Sequence, residues 1–472
     1  MMTIDFDPHT EDWAGDTHIW GERPRLVSVT QPIAPVALTD FLSLMDGQAR
    51  IYWKNDLGLV AYAGAGAAAV ISADGTSRVA RIQLQIDHLF EEAIIAASGA
   101  PKVALPRLFG GFAFRADHSA EDVWSAFPAA SFVLPRYQIA QVAGVTWLTV
   151  SHYAEADEFA AAGGTPLNTV RADAAALVAR LRTLELPARR HARARQVCYP
   201  LPQDVWRDQV NSARGRIHAG ELKKVVLART GDVDFDAAPD IVSALEKLDH
   251  RYPDCYRFLI EPEPGKAFFG ATPELLAEIH EATLHTAALA GSRRRGLTPA
   301  EDDALAADLL ADPKERGEHA VVVEMVRERV QPYARALYIP SEPTVFRLKN
   351  IQHLYTPVRA DLETHFDALD LVGELHPTPA LGGYPQRAAM LAIREIETFE
   401  RGWYAAPVGW IDASGDGQFA VAIRSAVADG ARVRLYAGAG IVSESDPDKE
   451  WAETGIKFKP MLDALGVEHG VS

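Results

Sequence analysis

Short β-type runs separated by turn residues fill much of this sequence, and they limit its fold more than any other feature. Towards the C-terminus the runs "GWYAAPVGWID", "GQFAVAIRSAVADG" and "ARVRLYAGAGIV" follow one another with turn residues between them. This pattern is typical of neighbouring antiparallel strands that are joined by short turns. Because strands outnumber clean β-α-β units, we predict an α+β fold in which helices flank large antiparallel β-sheets.

The sequence texture divides the chain into two regions. Residues 1–195 alternate β-type runs with Ala-rich helical stretches, and the basic segment "PARRHARARQVCYPLP" at their end is interpreted as a connector. In residues 196–468 a helix leads into a strand, short strands and turns follow, and two helices are separated by a break at "ADPKE". We expect the first region to form part of the same compact fold as the second.

The composition excludes several classes of protein. The chain has 472 residues and a formal net charge of −17, which argues against a nucleic-acid partner because phosphates require a basic face. Its two cysteines are far apart, which excludes a disulfide framework and a Cys-rich zinc site. The acidic opening segment "MMTIDFDPHTEDWAGD" is unlike a secretory leader, and no apolar stretch reaches membrane-spanning length. We therefore expect a cytoplasmic protein without a membrane partner.

The pentapeptide "YAGAG" occurs twice, at 62–66 and 436–440. The first copy continues as "GAGAAA" and formally fits a dinucleotide-binding pattern, but "VISADGTS" follows where a helix would be required. Glycines at a strand end are the better interpretation of this copy. The second copy leads into "IVSESDPDKEWAETGIKFK", which is rich in carboxylates and lysines.

Two stretches carry candidate acid and base groups. In "ELKKVVLAR", Lys223 and Lys224 precede a strand, and alternation directs their side chains to opposite faces. A lysine at the mouth of a buried strand is able to act as a base, and a solvated lysine pair is the alternative. In "FFGATPELL", Glu274 lies at a turn between apolar residues, where a carboxyl group keeps its proton and suits a general acid. A helix-start carboxylate is the alternative for Glu274.

Acidic residues with helical spacing occur in two further stretches. Glu315 and Glu318 lie three apart in "DPKERGEHAVVVE", and Glu450 and Glu453 repeat that spacing in "DPDKEWAETGIKFK", with Lys457 one turn later. Two such helices would clamp a hard divalent cation such as Mg²⁺, which prefers oxygen ligands. For either helix alone, a solvated charged face is the better interpretation.

A third group of residues is suited to binding anions. Arg424 lies in the apolar run "FAVAIRSA", which we predict to be a strand, and a substrate carboxylate in bidentate contact would satisfy its guanidinium. Gly438 and Gly440 would let backbone N–H groups approach a second anionic oxygen. Together the candidates predict a site for a small di-anionic ligand with Mg²⁺ and an acid–base pair. They do not identify the ligand.

A series of motifs follows between about Val205 and Gly466. They read "KKVVLAR", "GATPELL", "ALAGSRR", "KERGEHAVVVE", "LKNIQHLYTPV", "LHPTPALGGYP", "RGWYAAPVGW", "VAIRSA" and "YAGAGIVSESDPDKEWAETGIKFKPML". In content and order this series resembles the chorismate-utilising enzymes, the family that includes anthranilate synthase component I, and within it the isochorismate synthases of the menaquinone type. The resemblance implies the family's fold and Mg²⁺-dependent conversion of chorismate to isochorismate, in which the 4-hydroxyl is exchanged for a 2-hydroxyl derived from water.

The resemblance also implies the roles of the catalytic and metal-binding residues. Lys224 matches the base that activates water, and Glu274 matches the acid that protonates the departing hydroxyl. The matches to the metal site, first the ligands and then the neighbours that hold metal-bound waters, are Glu318, Glu453, Glu315 and Glu450.

Further matches concern the substrate. Arg424 and the backbone of Gly438 and Gly440 would hold the enolpyruvyl carboxylate, while the backbone amides of Gly291 and Ser292 approach the ring carboxylate. The remaining matches are Lys457, which adds positive charge, and the pocket positions His353 and Tyr404, whose roles the resemblance leaves open.

Subfamily features favour the isochorismate synthases. Aminodeoxychorismate synthases carry a nucleophilic lysine where this chain has Ala290, and anthranilate synthases lack the lysine at Lys224. The family often has Glu and Thr where this chain has Ala287 and Ser292. The alternatives are a salicylate synthase, an isochorismate synthase of a siderophore pathway, and a catalytically silent chorismate-binding subunit. No glutamine amidotransferase partner is expected.

Overall fold

The computed structural model describes residues 24–55, 60–97, 99–154, 166–347, 351–363 and 366–467. The acidic opening segment and part of the motif "LKNIQHLYTPV" lie outside these ranges. The strands, in chain order, are β1 (Arg25–Ile33), β2 (Arg50–Lys54), β3 (Val60–Ala73), β4 (Ile94–Ala96), β5 (Arg107–Phe112), β6 (Ala130–Val142), β7 (Val145–Ala154), β8 (Ala194–Cys198), β9 (Lys224–Phe235), β10 (Tyr256–Glu263), β11 (Lys266–Thr272), β12 (Leu275–His280), β13 (Thr283–Arg294), β14 (Ala334–Tyr338), β15 (Thr344–Arg347), β16 (Ile351–Leu362), β17 (Gly383–Tyr384), β18 (Pro407–Asp412), β19 (Gly417–Val421), β20 (Ser425–Asp429) and β21 (Arg432–Ile441).

Helices alternate irregularly with these strands. They are α1 (Leu38–Leu44), α2 (Arg78–Glu91), α3 (Pro166–Arg182), α4 (Gln203–His218), α5 (Ile241–Arg251), α6 (Pro299–Ala311), α7 (Pro313–Val330), α8 (Ala368–Leu375), α9 (Gln386–Ile396) and α10 (Pro447–Leu465). The predicted helix before the strand at Lys224 and the predicted pair of helices around "ADPKE" are α4, α6 and α7.

The strands pair almost entirely in antiparallel fashion. One run of pairings is β4–β1–β7–β6–β3–β2–β10–β11–β20–β21–β9, and β9 also pairs with β8 and β17. A second run leaves β6 as β5–β18–β19–β12–β13–β16, and β16 also pairs with β14 and β15. The short β1–β4 pair is parallel. The predicted α+β class with large antiparallel sheets is confirmed.

Strands from the N-terminal region are inserted among the later ones. β2 lies between β3 and β10, and β5 lies between β6 and β18. Buried side chains from both parts of the chain share the same apolar clusters; Trp53, Phe258 and Phe419 belong to one of them. Residues from early and late in the sequence therefore pack in common layers.

The first "YAGAG" lies inside β3, so the prediction that its glycines mark a strand end is wrong. A Cβ atom on Gly64 would lie 2.6 Å from the ring of Pro135 on β6. Pro135 has no N–H, and β6 changes its partner near this residue, from β5 before it to β7 after it. The glycine therefore allows two long strands to approach closely where the sheet divides.

Two other sequence interpretations are corrected. The basic connector contains strand β8, whose residues Ala194–Cys198 pair with the last part of β9. The run "GQFAVAIRSAVADG" is not one strand but two, β19 and β20, and Arg424 lies in the break between them with φ of 51°. A non-glycine residue with this left-handed conformation is unusual and interrupts strand pairing.

Candidate active site

A cavity of about 540 Å³ lies among β9, β13, β21, α7 and α10. Its wall contains seven acidic and six basic side chains. The acidic ones are Glu274, Glu315, Glu318, Glu444, Asp446, Glu450 and Glu453, and the basic ones are Lys224, Lys314, Arg401, Arg424, Lys449 and Lys457. All fourteen predicted site residues line this cavity.

Lys224 is the first residue of β9 and points into the cavity. Its Nζ donates to Glu318 Oε1 at 2.6 Å, and its side chain is 16% exposed. Lys223 is exposed instead and lies over the ring of Tyr384. The alternation of the strand therefore separates the two lysines as predicted, and the one inside is the one that matches the base of the resembled family.

Glu274 lies in the turn between β11 and β12. Its N–H bonds to Thr272 Oγ1, and its carbonyl oxygen accepts from Val421 N, which fixes the backbone of the turn. Burial raises the pKa of Glu274 to about 7, although the nearby charges of Lys224 and Arg424 act to lower it. A carboxyl group that holds its proton near neutral pH thus faces the same cavity as Lys224.

Arg424 is held at the cavity by a strained backbone. Its carbonyl oxygen accepts from Ala271 N on β11, and a Cβ on Gly270 would lie 2.6 Å from that oxygen. Burial lowers the pKa of Arg424, and Tyr404 and Glu453 act in the opposite direction. A desolvated guanidinium of this kind has a strong preference for an anionic partner.

The N-terminus of α7 carries two of the predicted metal-site residues. The helix begins after Asp312, whose carboxylate accepts from the N–H groups of Lys314 and Glu315, and Arg293 on β13 binds the same carboxylate at 2.6 Å. One turn later, His319 Nδ1 lies within hydrogen-bond distance, 3.2 Å, of the carbonyl oxygen of Ala290. These contacts fasten α7 against β13 and direct its acidic residues to the cavity.

The bulge in β13 lies directly beneath α7. Gly291 has φ of 77°, and the register with β16 shifts there. The N–H of Ser292 donates to Glu315 Oε2 at 2.9 Å, and Ser292 Oγ lies 2.8 Å from His353 Nδ1. Burial lowers the pKa of His353 to about 4, which leaves its ring neutral at pH 7.

The second "YAGAG" forms the last part of β21 and borders the cavity. A Cβ on Gly440 would lie 2.8 Å from Lys224 Cε, and one on Gly438 would lie 3.2 Å from the Tyr404 hydroxyl. Both glycines therefore leave room for side chains that face the cavity. The carbonyl oxygen of Gly438 accepts from Lys457 Nζ at 2.8 Å.

The other acidic pair lies on α10. Lys457 Nζ also bonds to Glu453 Oε1 at 2.6 Å. Burial lowers the pKa of Lys457 and raises that of Glu450, and the neighbouring Glu453 carboxylate adds to the effect on Glu450. Like charges at this spacing repel each other unless a cation lies near.

The donor chemistry of the two helices fits a hard divalent cation, since four carboxylates from α7 and α10 line one cavity. Glu318 and Glu453 are each paired with a lysine. Within the described ranges, no three His, Cys, Asp or Glu side chains lie close enough together to ligate one ion. The assignment of the four glutamates to a metal stays a prediction.

Comparison with known proteins identifies the family. The family described as "Chorismate binding enzyme" matches residues 16–466. The chain belongs to this family. It is 37% identical to isochorismate synthase MenF of Bacillus subtilis over 81% of this chain and 78% of the relative, and 34% identical to the salicylate biosynthesis isochorismate synthase of Pseudomonas aeruginosa over 95% and 92%. The menaquinone-specific isochorismate synthase MenF of Escherichia coli has a similar structure, with a TM-score of 0.78, 26% identity and coverage of 94% and 95%.

Several wall residues of this chorismate-binding chain were not singled out from the sequence. Arg401 lines the cavity and is held by Glu397 at 2.5 Å, while its other N–H groups donate to the carbonyls of Val226 and Leu381. It thereby ties β9 to the loop before β17. The motif "ETFERGW" contained the pair at a spacing of four, but only the fold shows that both residues are buried.

A chain of aromatic contacts reaches the cavity from the N-terminal region. The Tyr404 ring stacks on Tyr436, with 5.0 Å between centroids, and Trp124 Nε1 donates to the Tyr436 hydroxyl at 2.8 Å. A Cβ on Gly402 would lie 2.1 Å from Trp124, so this glycine is required for the contact. No sequence pattern connected Trp124 with the site, because the two parts are about 300 positions apart.

No helix in the described part of this family member is both apolar enough and long enough to span a membrane.

Proposed function

We propose that this chain is an isochorismate synthase that converts chorismate to isochorismate. The observation that carries the proposal is the placement of Lys224 and Glu274 in one cavity, where the charge of Lys224 acts on the pKa of Glu274. The similarity to named isochorismate synthases over most of the chain supports the same activity. An acid and a base that face one cavity are what an exchange of hydroxyl groups requires.

The reaction forms one C–O bond and breaks another. Lys224 takes a proton from water as the water oxygen bonds to C2 of the ring, the ring double bonds shift, and the C4–O bond breaks. Glu274 gives its proton to the departing hydroxyl, which leaves as water. A pKa of about 7 suits this task, because Glu274 is still protonated at neutral pH and is readily deprotonated during the step.

Before it acts as a base, Lys224 must leave its ion pair and pass one proton to solvent. Its Nζ bonds to Glu318 at 2.6 Å, and only a neutral amine is able to accept a proton from water. The flexible lysine stem permits this movement, and Gly440 leaves the space for it.

We propose that Arg424 binds the enolpyruvyl carboxylate, with Lys457 adding positive charge. The cavity wall has no excess of basic residues, so a doubly charged substrate needs further positive charge. Glu318 and Glu453 would hold Mg²⁺, and Glu315 and Glu450 its waters. When bound, the ion would neutralise the ring carboxylate of chorismate.

We further propose that residues 1–195 and 196–468 work as one catalytic unit, because β2 and β5 are inserted between later strands and Trp124 supports Tyr436. Neither a nucleic-acid nor a glutamine amidotransferase partner is expected. Cys198 and Cys255 are not joined in a disulfide, and the cytoplasmic location that the sequence predicts stays a prediction.

Product analysis tests the activity. The chain is incubated with chorismate and Mg²⁺, and isochorismate and pyruvate are measured by chromatography. Isochorismate without accumulating pyruvate is expected, whereas stoichiometric pyruvate and salicylate would identify a salicylate synthase. Lys224→Ala should abolish turnover and leave Mg²⁺-dependent chorismate binding intact, and Lys223→Ala, which alters the exposed neighbour, is the matched control.

A second experiment addresses the pathway. We propose that the product enters menaquinone synthesis, as the name of the Escherichia coli protein indicates for that relative. Expression in a bacterial strain that lacks its own isochorismate synthases should restore menaquinone. Production of salicylate alone would instead support the pathway named for the Pseudomonas relative, and restoration of a siderophore alone would support a siderophore pathway.

A further inference from the structure

Arg229 is a buried cation that the proposed mechanism does not use. It lies on β9, five residues after Lys224, and is 3% exposed. Burial lowers its pKa to about 10, and within the described ranges it forms no ion pair with a carboxylate. Burial of such a charge costs free energy unless hydrogen bonds and other contacts compensate for the lost hydration.

Most of the contacts of Arg229 belong to helix α10. Its Cζ lies 3.6 Å from the centroid of the Trp451 ring and 5.0 Å from that of Phe458. Its Nε donates to Thr454 Oγ1 at 2.7 Å, and Nη2 donates to the Trp451 carbonyl at 3.3 Å. Thr454 in turn donates its own proton to that carbonyl at 2.8 Å, which leaves its oxygen free to accept from Arg229. Tyr199 adds a third aromatic contact, with its ring centroid 5.4 Å from Cζ of Arg229.

Two stripes of side chains run along α10. The anchor stripe, which contacts Arg229, consists of Trp451, Thr454 and Phe458. The cavity stripe, which lines the cavity, consists of Glu450, Glu453 and Lys457. Both stripes have spacings of three and four, and each cavity residue directly precedes an anchor residue, so the stripes are about 100° apart around the helix. The rotation of α10 that satisfies Arg229 therefore determines where the cavity stripe points.

Small rotations of this helix matter for the site. At about 6 Å from the helix axis, a rotation of about 10° moves a carboxylate by about 1 Å. A displacement of that size in a positioning group costs on the order of 100-fold in rate. Two directed hydrogen bonds resist such a rotation more than apolar packing alone does. Hydrogen bonds weaken when their angle changes, whereas apolar contacts have no directional preference.

We propose that Arg229 is a positioning residue, which fixes the rotation of α10 so that the cavity stripe faces the substrate and its cation. This inference rests on the proposed function for its kinetic consequences but not for its structural ones. Lys224 and Arg229 lie on one strand, so β9 carries the predicted base and also holds the helix that bears half of the predicted metal site.

The test uses three variants of the full chain and one matched control. Arg229→Met keeps the length and loses both hydrogen bonds, Thr454→Val keeps the shape and loses only the hydroxyl, and Thr454→Ser restores the hydroxyl. Arg107→Met is the control, because Arg107 is also fully buried, stacks on Trp410 at 4.2 Å and lies outside the cavity wall. If Arg229→Met does not fold, the smaller change at Thr454 still gives the answer.

Hydrogen exchange gives a readout that does not depend on activity. Amides of residues 447–465 should exchange at least tenfold faster in Arg229→Met and Thr454→Val than in the original chain, and Thr454→Ser and Arg107→Met should leave them within about twofold. Unchanged exchange in α10, or acceleration spread equally over the chain as a general loss of stability, would overturn the proposal.

Kinetics give the second readout. In Arg229→Met and Thr454→Val, the Mg²⁺ concentration for half-maximal activity and the KM for chorismate should each rise at least tenfold. In Arg107→Met both values should stay within about twofold, even where stability falls. Equal values in the anchor variants and the control would contradict the positioning role. If the original chain makes no isochorismate, the proposed function fails, while the exchange experiment still decides the role of Arg229.

Discussion

Replacing the buried acid Glu274 by glutamine should change stability in a way that depends on pH. Burial raises the pKa of this carboxyl group from 4.5 to about 7. A raised pKa means that the folded state favours the protonated form. The stability due to this preference is fully present below pH 4.5 and is lost as the pH rises through about 7.

The size of the effect follows from the two pKa values. The pKa of Glu274 is taken as 4.5 in the unfolded chain and about 7 in the folded one. This difference in pKa destabilises the folded state by about 1.4 kcal/mol at pH 5.5 and by about 3.4 kcal/mol at pH 8.5, relative to low pH. Glutamine has nearly the same shape and no charge. The advantage of Glu274→Gln over the original chain should therefore grow by about 2 kcal/mol between these two pH values.

Urea unfolding of both proteins at pH 5.5, 7 and 8.5 measures this difference. Glu263→Gln, which removes a carboxylate from the exposed end of β10, controls for the loss of a surface charge. The same Glu274→Gln protein should lose turnover by at least 100-fold, since glutamine has no proton to give. A stability difference that is constant across the pH range would refute the reasoning, because it would mean that Glu274 is ionised in the fold as readily as in water.

Three further changes have defined outcomes. Gly440→Ala places a methyl group against Lys224 and should lower kcat about tenfold, measured by isochorismate formation, with a loss in unfolding free energy of less than about 2 kcal/mol. Arg424→Gly relieves the left-handed backbone at this position, so thermal stability should hold or increase by about 1 kcal/mol while kcat/KM for chorismate falls at least 100-fold. Trp124→Phe removes a donor to Tyr436 and should cost about 1–2 kcal/mol in urea unfolding.

Two matched controls distinguish specific effects from general ones. Gly215 lies inside α4 with open space around it, so Gly215→Ala should stabilise the chain by about 0.5–1 kcal/mol without affecting turnover. The buried Nε1 of Trp410 has no hydrogen-bond partner among the described residues, so Trp410→Phe should cost less than Trp124→Phe. An equal or larger cost at Trp410 would show that ring packing, not the hydrogen bond, explains the effect.

The local patterns predicted the elements and the most important side chains. Strand alternation separated Lys224 from Lys223, and a carboxyl group between apolar residues at a turn predicted a raised pKa for Glu274. These features depend on neighbours within a few positions, which are visible in a sequence. The placement of all predicted site residues around one cavity followed from the resemblance to a family and not from local patterns.

Features that depend on distant residues were not visible. The break at Arg424 is made by the carbonyl contact to Ala271, and the close approach at Gly64 is made by Pro135. In the sequence Arg229 has the surroundings of an ordinary strand residue, and only the fold shows that α10 covers it. The lysine pairing of Glu318 was missed for a different reason, because spacing along a helix shows which residues share a face but not which partner occupies it.

The long separation in sequence between the paired strands β9 and β21 has a consequence for biosynthesis. Strand β9 is made about 200 residues before β21, its long partner, so at about 5–20 residues per second the ribosome needs about 10–40 s to supply that partner. During this interval β8 pairs only with the last four residues of β9, and the edge that later binds β21 leaves its backbone hydrogen-bonding groups unpaired. We therefore expect a nascent chain of this protein to expose an unpaired apolar strand, and slowing translation beyond residue 235 should increase its aggregation.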